Sequence, residues 1–267
     1  MKNLFLLFLL MLSVLSCDYF EYHPYDIPHK GSEYRDINNK NIDRINGMDQ
    51  SDDTIRFAFM GDTQRFYDET VAFVKHVNRR TDVDFVIHGG DLTDFGMTKE
   101  YIWVHDIMKK LTVPYVAIVG NHDLVGHGKE VYDDIYGDFN FSFVFRGTRF
   151  IFLNTNALEF DYARPVPDFD FMLQFIEDQP EVMQTVVAMH AEPFSEQFNN
   201  NSRLMFNHIV ERYKNPLFCL HAHAHRLMVD DFFNNGIIYY GCEAMDDRSY
   251  MLFTVTNGSY EYEVIKY

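Results

Sequence analysis

The sequence is poor in cysteine, in tryptophan and in basic residues. Of its 267 residues three are cysteine and one is tryptophan, and 23 lysines and arginines stand against 40 aspartates and glutamates, which gives a formal net charge of −17. So few cysteines exclude a disulfide-rich scaffold and a thiolate-rich metal site. The acidic excess argues against nucleic acid as a partner, unless bound metals or a local basic patch offset it. A small phosphorylated substrate remains compatible with it.

A membrane-spanning run is also missing from the N-terminus. The apolar stretch that begins at Leu4 and continues to Leu15 is shorter than the roughly 20 residues that cross a bilayer. A charged start, a short apolar core and a small residue before a cleavage point are typical of a secretory signal, and Val14-Leu15-Ser16-Cys17 resembles a bacterial lipobox. We therefore expect residues 1–16 to be a lipoprotein signal peptide and Cys17 to be acylated. That would anchor the protein by lipid in a bacterial cell envelope, at the periplasmic face or the cell surface; the alternative is a plain secretory signal with an incidental cysteine.

Beyond the signal the chain divides into two parts. Residues 17–53 are polar and interrupted by prolines, and we expect a tether or an arm that packs on the domain, with a short helix near Asn39 to Ile45. Residues 54–267 are long enough for one domain with a substantial core. If Cys17 carries lipid, the other two cysteines, Cys219 and Cys242, fit either a disulfide or two buried free thiols.

Acidic and amide residues follow the predicted strands in the first half of this domain. Strands are expected at Ile55–Met60, Asp84–His88 and Tyr115–Val119, and helices at Asp68–Asn78 and Thr98–Leu111. Asp62, Asp91 and Asn121 follow the strands at intervals of 29 and 30 positions, about one strand-helix-strand unit each. Each residue therefore lies past the carboxyl end of a parallel strand, where open α/β sheets place their sites.

The second half of the domain favours short strands. A hairpin is expected around Gly147, a helix at Phe169–Asp178, and a strand at Thr185–Met189 that ends in His190. Further strands are expected at Leu217–Leu220, Leu227–Phe232, Ile237–Tyr240, Tyr250–Val255 and Tyr260–Ile265, in a C-terminal part that is mostly antiparallel. We predict an α/β fold in which a two-sheet β-sandwich is flanked by helices, in four αββα layers.

The polar residues at the strand ends form the ligand set of a site for two metal ions. The candidates are Asp62, Gln64, Asp91, Asn121, His190 and the alternating His221, His223 and His225. Oxygen and imidazole ligands without thiolate suit divalent ions such as Mn, Fe, Zn or Mg. The set therefore points to hydrolytic chemistry.

The motifs that carry these residues resemble those of the calcineurin-like metallophosphoesterases. They are Gly61-Asp62-Thr63-Gln64, Gly90-Asp91-Leu92-Thr93-Asp94, Gly120-Asn121-His122-Asp123, His190 and Ala222-His223-Ala224-His225. The resemblance spans Ile55 to Arg226, most of the domain. It implies a metal-dependent phosphoric ester hydrolase with two divalent ions and a metal-bridging hydroxide as nucleophile.

Position by position, the resemblance also implies roles. Asp62 and His225 would hold the first metal, Asn121, His190 and His223 the second, and Asp91 would bridge the two. His122 would assist the leaving group, and Asp123 would orient His122.

Two positions depart from the family pattern. Gln64 stands where histidine is usual, which biases the first site toward harder ions, and similar forms occur in the Mn-dependent ADP-ribose and CDP-alcohol diphosphatases. The alternative function is therefore hydrolysis of a nucleotide-diphosphate bond. Ala222 replaces a usual glycine, so the ligand pair could instead be His221 with His223. Both departures also leave open a catalytically decayed metal- or ligand-binding surface lipoprotein.

The remaining polar residues have plainer interpretations. Asp94 fits a cap or a backbone hydrogen bond, and His88 fits packing behind the site. Loop residues that could border the cleft are Arg65, Asn156, Tyr162 and Arg164, although solvated loop positions are the favoured interpretation. The histidines that fit solvent-exposed faces are His76, His105, His127 and His208.

Overall fold

The computed structural model describes residues 23–25, 32–160, 165–177 and 179–267. The predicted signal peptide, Cys17, Tyr162 and Arg164 lie outside the described residues. Within the described ranges, no helix has both the length and the apolar character needed to cross a membrane.

The described residues form six α-helices and eleven strands. The helices are α1 (Ile37–Asn46), α2 (Tyr67–Val77), α3 (Thr98–Met108), α4 (Gly128–Tyr136), α5 (Phe169–Leu173) and α6 (Arg203–Val210). The strands are β1 (Ile55–Met60), β2 (Phe85–His88), β3 (Tyr115–Ala117), β4 (Phe141–Phe145), β5 (Thr148–Leu153), β6 (Gln184–Met189), β7 (Pro216–His221), β8 (Met228–Asp230), β9 (Ile238–Gly241), β10 (Ser249–Thr256) and β11 (Ser259–Lys266).

These strands build two mixed sheets. The first has the order β11-β10-β1-β2-β3 and the second β4-β5-β6-β7-β9-β8. In the first sheet β1, β2 and β3 are parallel, and in the second β5, β6, β7 and β9 are parallel. Parallel strands share one carboxyl edge, so each sheet delivers several strand ends to the same side.

An aromatic cluster joins the two sheets face to face. The Phe57 ring stacks on Phe253 at 5.3 Å between ring centres and meets Phe150 edge-on at 5.5 Å, while Phe253 also stacks on Phe218 at 4.8 Å. Two further apolar clusters lie outside the sandwich, one under α2, α3 and α4 and the other under α5 and α6. The predicted α/β sandwich flanked by helices is therefore confirmed.

Helix α1 belongs to this packing although the sequence places the start of the domain at Thr54. It buries Ile37, Ile42 and Ile45. The Asn38 amide accepts a hydrogen bond from the Ala117 N–H at 2.8 Å and donates one to the Ala117 carbonyl at 2.9 Å. Strand β3 lies at the edge of its sheet, and Asn38 thus makes hydrogen bonds that a neighbouring strand would otherwise make with it.

The expectation of a mostly antiparallel C-terminal part is wrong for the second sheet. Strands β6 and β7 are almost wholly buried, which is typical of parallel strands covered on both faces. Helices α4 and α6 also went unpredicted. Helix α4 buries Val131, Tyr132, Ile135 and Tyr136, an amphipathic spacing that the sequence does contain.

Two side-chain expectations are settled by burial. His105 is only 6% exposed, contrary to its predicted solvent-facing position, and its Nδ1 lies 2.7 Å from the Tyr115 hydroxyl. Cys219 and Cys242 are buried free thiols, so no disulfide joins them.

Candidate metal centre

Strand ends from both sheets meet at the candidate centre. Asp62 and Asp91 follow β1 and β2, and Asn121 follows β3 by a few residues. From the second sheet, His190 follows β6, and His223 with His225 follows β7. The parallel registers gather the strand ends within each sheet. The two groups of strand ends meet where Asp62 and His225, which are 163 positions apart in the chain and come from different sheets, lie 3.3 Å apart.

Asp62, Asp91 and His190 form the buried floor of the centre. One ligand atom from each lies within 4.8 Å of those of the other two. Both Asp62 carboxylate oxygens are buried and have no hydrogen-bond partner among the described residues. A buried carboxylate without partners is costly, and a cation is the partner that these oxygens fit.

A second group of ligand atoms surrounds the Asn121 side chain. The His190 Nδ1–H donates to the Gly89 carbonyl at 2.9 Å, and burial lowers the His190 pKa to about 4, so the neutral ring presents the lone pair of Nε2. That Nε2 lies 3.0 Å from Asn121 Oδ1. Two acceptors facing each other repel, and a cation between them removes the conflict.

His223 repeats this arrangement from the other side. Its Nε2 lies 3.1 Å from Glu196 Oε1, and its Nδ1 lies 3.0 Å from the same Asn121 Oδ1. When Nε2–H donates to Glu196, Nδ1 carries the lone pair, as in carboxylate–histidine–metal arrangements. Sequence reasoning missed Glu196, because it lies in an irregular loop without a periodic signal.

Gln64 and His225 complete the side nearest Asp62. His225 Nε2 lies 3.3 Å from Asp62 Oδ1, and contact with that carboxylate raises the pKa of His225. The Gln64 amide nitrogen donates to Asp91 Oδ2 at 3.0 Å. Gln64 therefore holds the carboxylate that lies between the two groups of ligands.

The backbone of the centre is strained at the predicted ligands. Left-handed φ angles occur at Asp62 (52°), Gln64 (29°), Asp91 (54°), His223 (62°) and His225 (51°). A non-glycine residue in this region costs on the order of 1–3 kcal/mol, and such residues cluster at functional sites. The strain is held by loop hydrogen bonds such as Asp62 N–H to the Gly90 carbonyl at 2.9 Å.

Two glycines allow the loops to approach one another. A Cβ on Gly120 would lie 2.1 Å from Asp91 Oδ1, and a Cβ on Gly90, whose φ is 102°, would lie 2.6 Å from His190 Nδ1. Any side chain at either position would displace a candidate ligand.

The prediction that Asp123 orients His122 is wrong. Asp123 accepts hydrogen bonds from the backbone N–H groups of Leu92, Thr93 and Gly120 and from the Thr93 hydroxyl, at 2.8–3.2 Å. Burial raises the pKa of Asp123 to about 8, although these donors favour its charged form. Asp123 thus ties together the loops after β2 and β3.

His122 is positioned by Asp94 instead. Its Nδ1 lies 3.0 Å from the Asp94 carbonyl oxygen, and the Asp94 carboxylate is bound by Arg65 at 2.7 Å. Burial lowers the pKa of His122, but the Asp91 charge and the Asp94 carbonyl outweigh it, so the net shift is upward. Because this contact uses the backbone carbonyl of Asp94, the residue type at this position does not predict it.

The structure also distinguishes the two possible histidine pairs. His221 is buried, and its Nδ1 lies 3.2 Å from the Ala222 carbonyl and 3.3 Å from Glu192 Oε2. His223 and His225 are therefore the pair beside Asn121 and Asp62.

Asn156 does not have the cleft-bordering position considered for it. It is buried, and its side-chain amide donates a hydrogen bond to the Val119 carbonyl at 2.9 Å.

A sandwich of two mixed sheets with carboxylate, amide and imidazole groups at its strand ends defines the metallophosphoesterase class of fold. A family model described as calcineurin-like phosphoesterase matches residues 55–227. The chain belongs to this family. No curated protein matches the sequence.

Solved structures share the fold at low sequence identity. A purple acid phosphatase from yellow lupin seeds is 14% identical with a TM-score of 0.63, covering 82% of this chain and 52% of that chain. GAP50, the anchor in the inner membrane complex of Plasmodium, is 11% identical with a TM-score of 0.60, covering 80% of this chain and 85% of the other. A dimetal phosphatase from Danio rerio is 11% identical with a TM-score of 0.58, covering 81% and 100%.

Proposed function

We propose that this protein is a metal-dependent phosphoric ester hydrolase with a dinuclear metal centre. The observation that carries the proposal is the convergence of acceptor groups: the two buried Asp62 oxygens, which accept no aligned hydrogen bond among the described residues, and the Asn121 oxygen between two imidazoles. Such a set repels itself and fits cations. Membership of the calcineurin-like phosphoesterase family and likeness to a dimetal phosphatase support the same conclusion.

The side chains divide between two ions. Asp62 and His225 would hold the first, Asn121, His190 and His223 the second, and Asp91 would lie between them, with Gln64 fixing its outer oxygen or adding its own amide oxygen as a weak ligand. Mn, Fe, Zn and Mg all suit these donors, and Gln64 biases the first site toward the harder ions. Two divalent ions in such a site lower the pKa of a shared water and supply the nucleophile.

His122 is the proton donor or charge stabiliser of the proposal. Its side chain is 39% exposed, so a substrate can reach it, and the Asp94 carbonyl fixes the ring through Nδ1. The upward shift of its pKa favours the protonated form. His122 therefore keeps a proton at Nε2 for the leaving oxygen.

The test compares His122→Ala with a matched histidine variant in the full-length chain. With bis(p-nitrophenyl) phosphate as substrate and each metal added in turn, we expect turnover that requires metal. His122→Ala should lower kcat by about 10²–10⁴-fold with metal content unchanged. His208→Ala removes an exposed histidine from α6 and should keep the wild-type rate. Equal rates for the two variants would remove His122 from the mechanism.

Gln64 supports a second candidate, hydrolysis of a diphosphate bond in a nucleotide-diphosphate compound. The two candidate functions are distinguished by hydrolysis rates measured with Mn on a panel of simple diesters, monoesters and nucleotide-diphosphate compounds. A phosphoesterase should act fastest on a monoester or a simple diester, and a diphosphatase on a nucleotide-diphosphate compound. A catalytically decayed binding protein would instead show one tightly held ion, no second ion at millimolar Mn, and no turnover. Counting bound metals by elemental analysis beside the panel separates all three.

For the location, we propose export and lipid anchoring through Cys17. The sequence before it, Val14-Leu15-Ser16, supports this, and buried acyl chains each add about 0.8 kcal/mol per methylene. In a bacterial host, labelled fatty acid should enter the wild type and Cys219→Ser but not Cys17→Ser. Label retained by Cys17→Ser would contradict the anchor.

A further inference from the structure

A cavity opens beside the candidate centre, with His223 in its wall. Its volume is about 500 Å³, enough for a small organic group next to a phosphate. We call it the His223 cavity. The lining residues that matter here are Glu192, Phe194, Glu196, His223, Arg226 and Phe232.

Two carboxylates give the His223 cavity an acidic character. Glu192 is only 7% exposed, and its Oε2 accepts no aligned hydrogen bond among the described residues, although His221 Nδ1 lies 3.3 Å away. Glu196 is largely exposed and reaches the His223 ring. A buried carboxylate oxygen that accepts no aligned hydrogen bond favours a ligand that brings a positive charge and N–H groups.

Aromatic rings form the apolar wall of the same cavity. Phe194 and Phe232 lie 5.7 Å apart between ring centres. Phe194 is 51% exposed and has a φ of 79°, a strained conformation for an aromatic residue. The Arg203 guanidinium lies 5.1 Å from the Phe194 ring, so this ring already binds a cation on its surface, and Phe232 is the ring left for a ligand.

We propose that the His223 cavity binds the alcohol part of a phosphoric ester that carries a primary ammonium group. The inference rests on the proposed phosphoesterase function. An ammonium group placed between Phe232 and Glu192 gains a cation–π contact and a charge-assisted hydrogen bond. A second phosphate or a carboxylate in this position would meet Glu192 and Glu196 at close range. Arg226, which directly follows His225 in the chain, suits the phosphate itself.

The experiment uses two esters of equal shape and different charge. The full-length chain, loaded with Mn, is assayed on 2-aminoethyl p-nitrophenyl phosphate and on propyl p-nitrophenyl phosphate, and the ratio of their kcat/KM values is compared among variants. We expect the wild type to prefer the ammonium ester by about tenfold or more. Glu192→Gln and Phe232→Leu should each reduce the ratio several-fold. Glu263→Gln makes the same chemical change on exposed strand β11 and should leave the ratio as it is.

The outcomes separate this inference from the proposed function. Two results would overturn the inference without contradicting the proposed phosphoesterase function. The first is turnover of both esters with a kcat/KM ratio near one, and the second is a ratio that Glu192→Gln does not change. A higher kcat/KM for a nucleoside p-nitrophenyl phosphate than for either alkyl ester also overturns it.

If no ester is hydrolysed, the proposed function fails. Calorimetry that compares the binding of ethanolamine phosphate with that of propyl phosphate then tests the inference by itself. Vesicles of phosphatidylethanolamine assayed beside the soluble ester show whether a lipid headgroup or a free ester is the source; preference for the ammonium form in either supports the inference.

Discussion

At the scale of single residues, the side chains of the candidate centre are arranged to bind ions, and this arrangement lowers the stability of the folded protein. Asp62 holds two buried oxygens that accept no aligned hydrogen bond among the described residues, and Asn121 places its oxygen 3.0 Å from imidazole nitrogens on both sides. Neither arrangement would be kept for packing, because each leaves acceptors unsatisfied. We infer that bound cations offset the free-energy cost of these unsatisfied acceptors.

Asp62→Asn should therefore stabilise the metal-free protein. The substitution removes a buried charge whose neighbouring cation is the exposed His225 at 3.3 Å, with little change of shape. We therefore expect the free energy of unfolding without metal to rise by about 1–3 kcal/mol. The affinity for divalent ions should fall at the same time, since a carboxylate ligand is lost. Urea denaturation in the presence of a chelator and titration with Mn measure the two effects.

Asp53→Asn is the matched control for this prediction. Asp53 is exposed and precedes β1, so its replacement should leave both quantities within experimental error. A metal-free Asp62→Asn protein less stable than the wild type would show that Asp62 is satisfied in another way.

Sequence reasoning reached these residues because their signal is local. A polar residue within three positions of the end of a buried strand identifies Asp62, Asp91 and His190 without knowledge of the fold. Asp123 shows the opposite case: its partners Leu92 and Thr93 lie about 30 positions away in the chain, and adjacency to His122 suggested the wrong role. Glu196 lies in an irregular loop, where no spacing rule applies.

At the scale of elements, the ligand geometry depends on where each strand ends. Strand β3 is only three residues long and lies at the edge of its sheet, and Asn121 follows it. The Asn38 side chain holds the Ala117 N–H and carbonyl at this edge. Helix α1 therefore supports the loop that carries Asn121.

Asn38→Ala should destabilise the fold through this edge. It leaves the buried Ala117 N–H without its partner, while the Ala117 carbonyl keeps its hydrogen bond from the Tyr132 hydroxyl at 2.8 Å. We therefore expect a loss of about 1–3 kcal/mol in the free energy of unfolding. Asn39→Ala, on the exposed face of α1, is the control and should cost less than about 1 kcal/mol. Equal losses for the two variants would mean that Asn38 does not support β3.

His105 links a helix to the pH dependence of stability. Burial, with the nearby Lys109 charge, lowers its pKa to about 4 from 6.5. Between pH 4 and pH 6.5, His105 is protonated in the unfolded chain and neutral in the folded chain. Its contribution to stability is therefore complete above pH 6.5 and is lost as the pH falls toward 4. The shift corresponds to at most about 3 kcal/mol.

His105→Gln should remove this contribution and keep a hydrogen bond to Tyr115. We expect its unfolding free energy to fall less steeply than that of the wild type between pH 6.5 and 4, measured by urea denaturation of metal-free protein. The buried His88 and His190 remain in both proteins, so the difference reports His105 alone. His208→Gln, exposed on α6, should follow the wild-type curve; identical slopes for His105→Gln and the wild type would contradict the assignment.

The elements themselves were predictable to different degrees. Strand β1 was predicted at its observed bounds because it is an apolar run closed by Gly61. The direction of β6, β7 and β9 could not be read, since short buried strands look alike in parallel and antiparallel sheets. The first turn of helix α6 contains exposed Leu204 and Met205, which obscures the apolar stripe that would identify a helix.

At the scale of the whole molecule, acidic charge and the metal centre act together. The chain carries a formal net charge of −17, and the centre adds two buried carboxylates, Asp62 and Asp91, to a common floor. Two divalent ions would offset this repulsion and join loops that come from both sheets. Metal binding should therefore stabilise the sandwich as a unit and not only its loops.

Removal of metal should lower the unfolding transition of the full-length chain. An ion present at 100 times its dissociation constant stabilises the folded state by about 2.7 kcal/mol, so two such ions contribute about 5 kcal/mol when they bind independently. Calorimetry of the chelated protein against the same protein with added Mn, with bound metal counted in both, measures the shift. Asp91→Asn removes the carboxylate between the two ligand groups and should lose most of the metal-dependent shift, whereas Asp53→Asn should retain it. A transition temperature that does not move with Mn in the wild type would mean that the strand ends bind no ion tightly, because stabilisation by a ligand of the native state follows from binding alone.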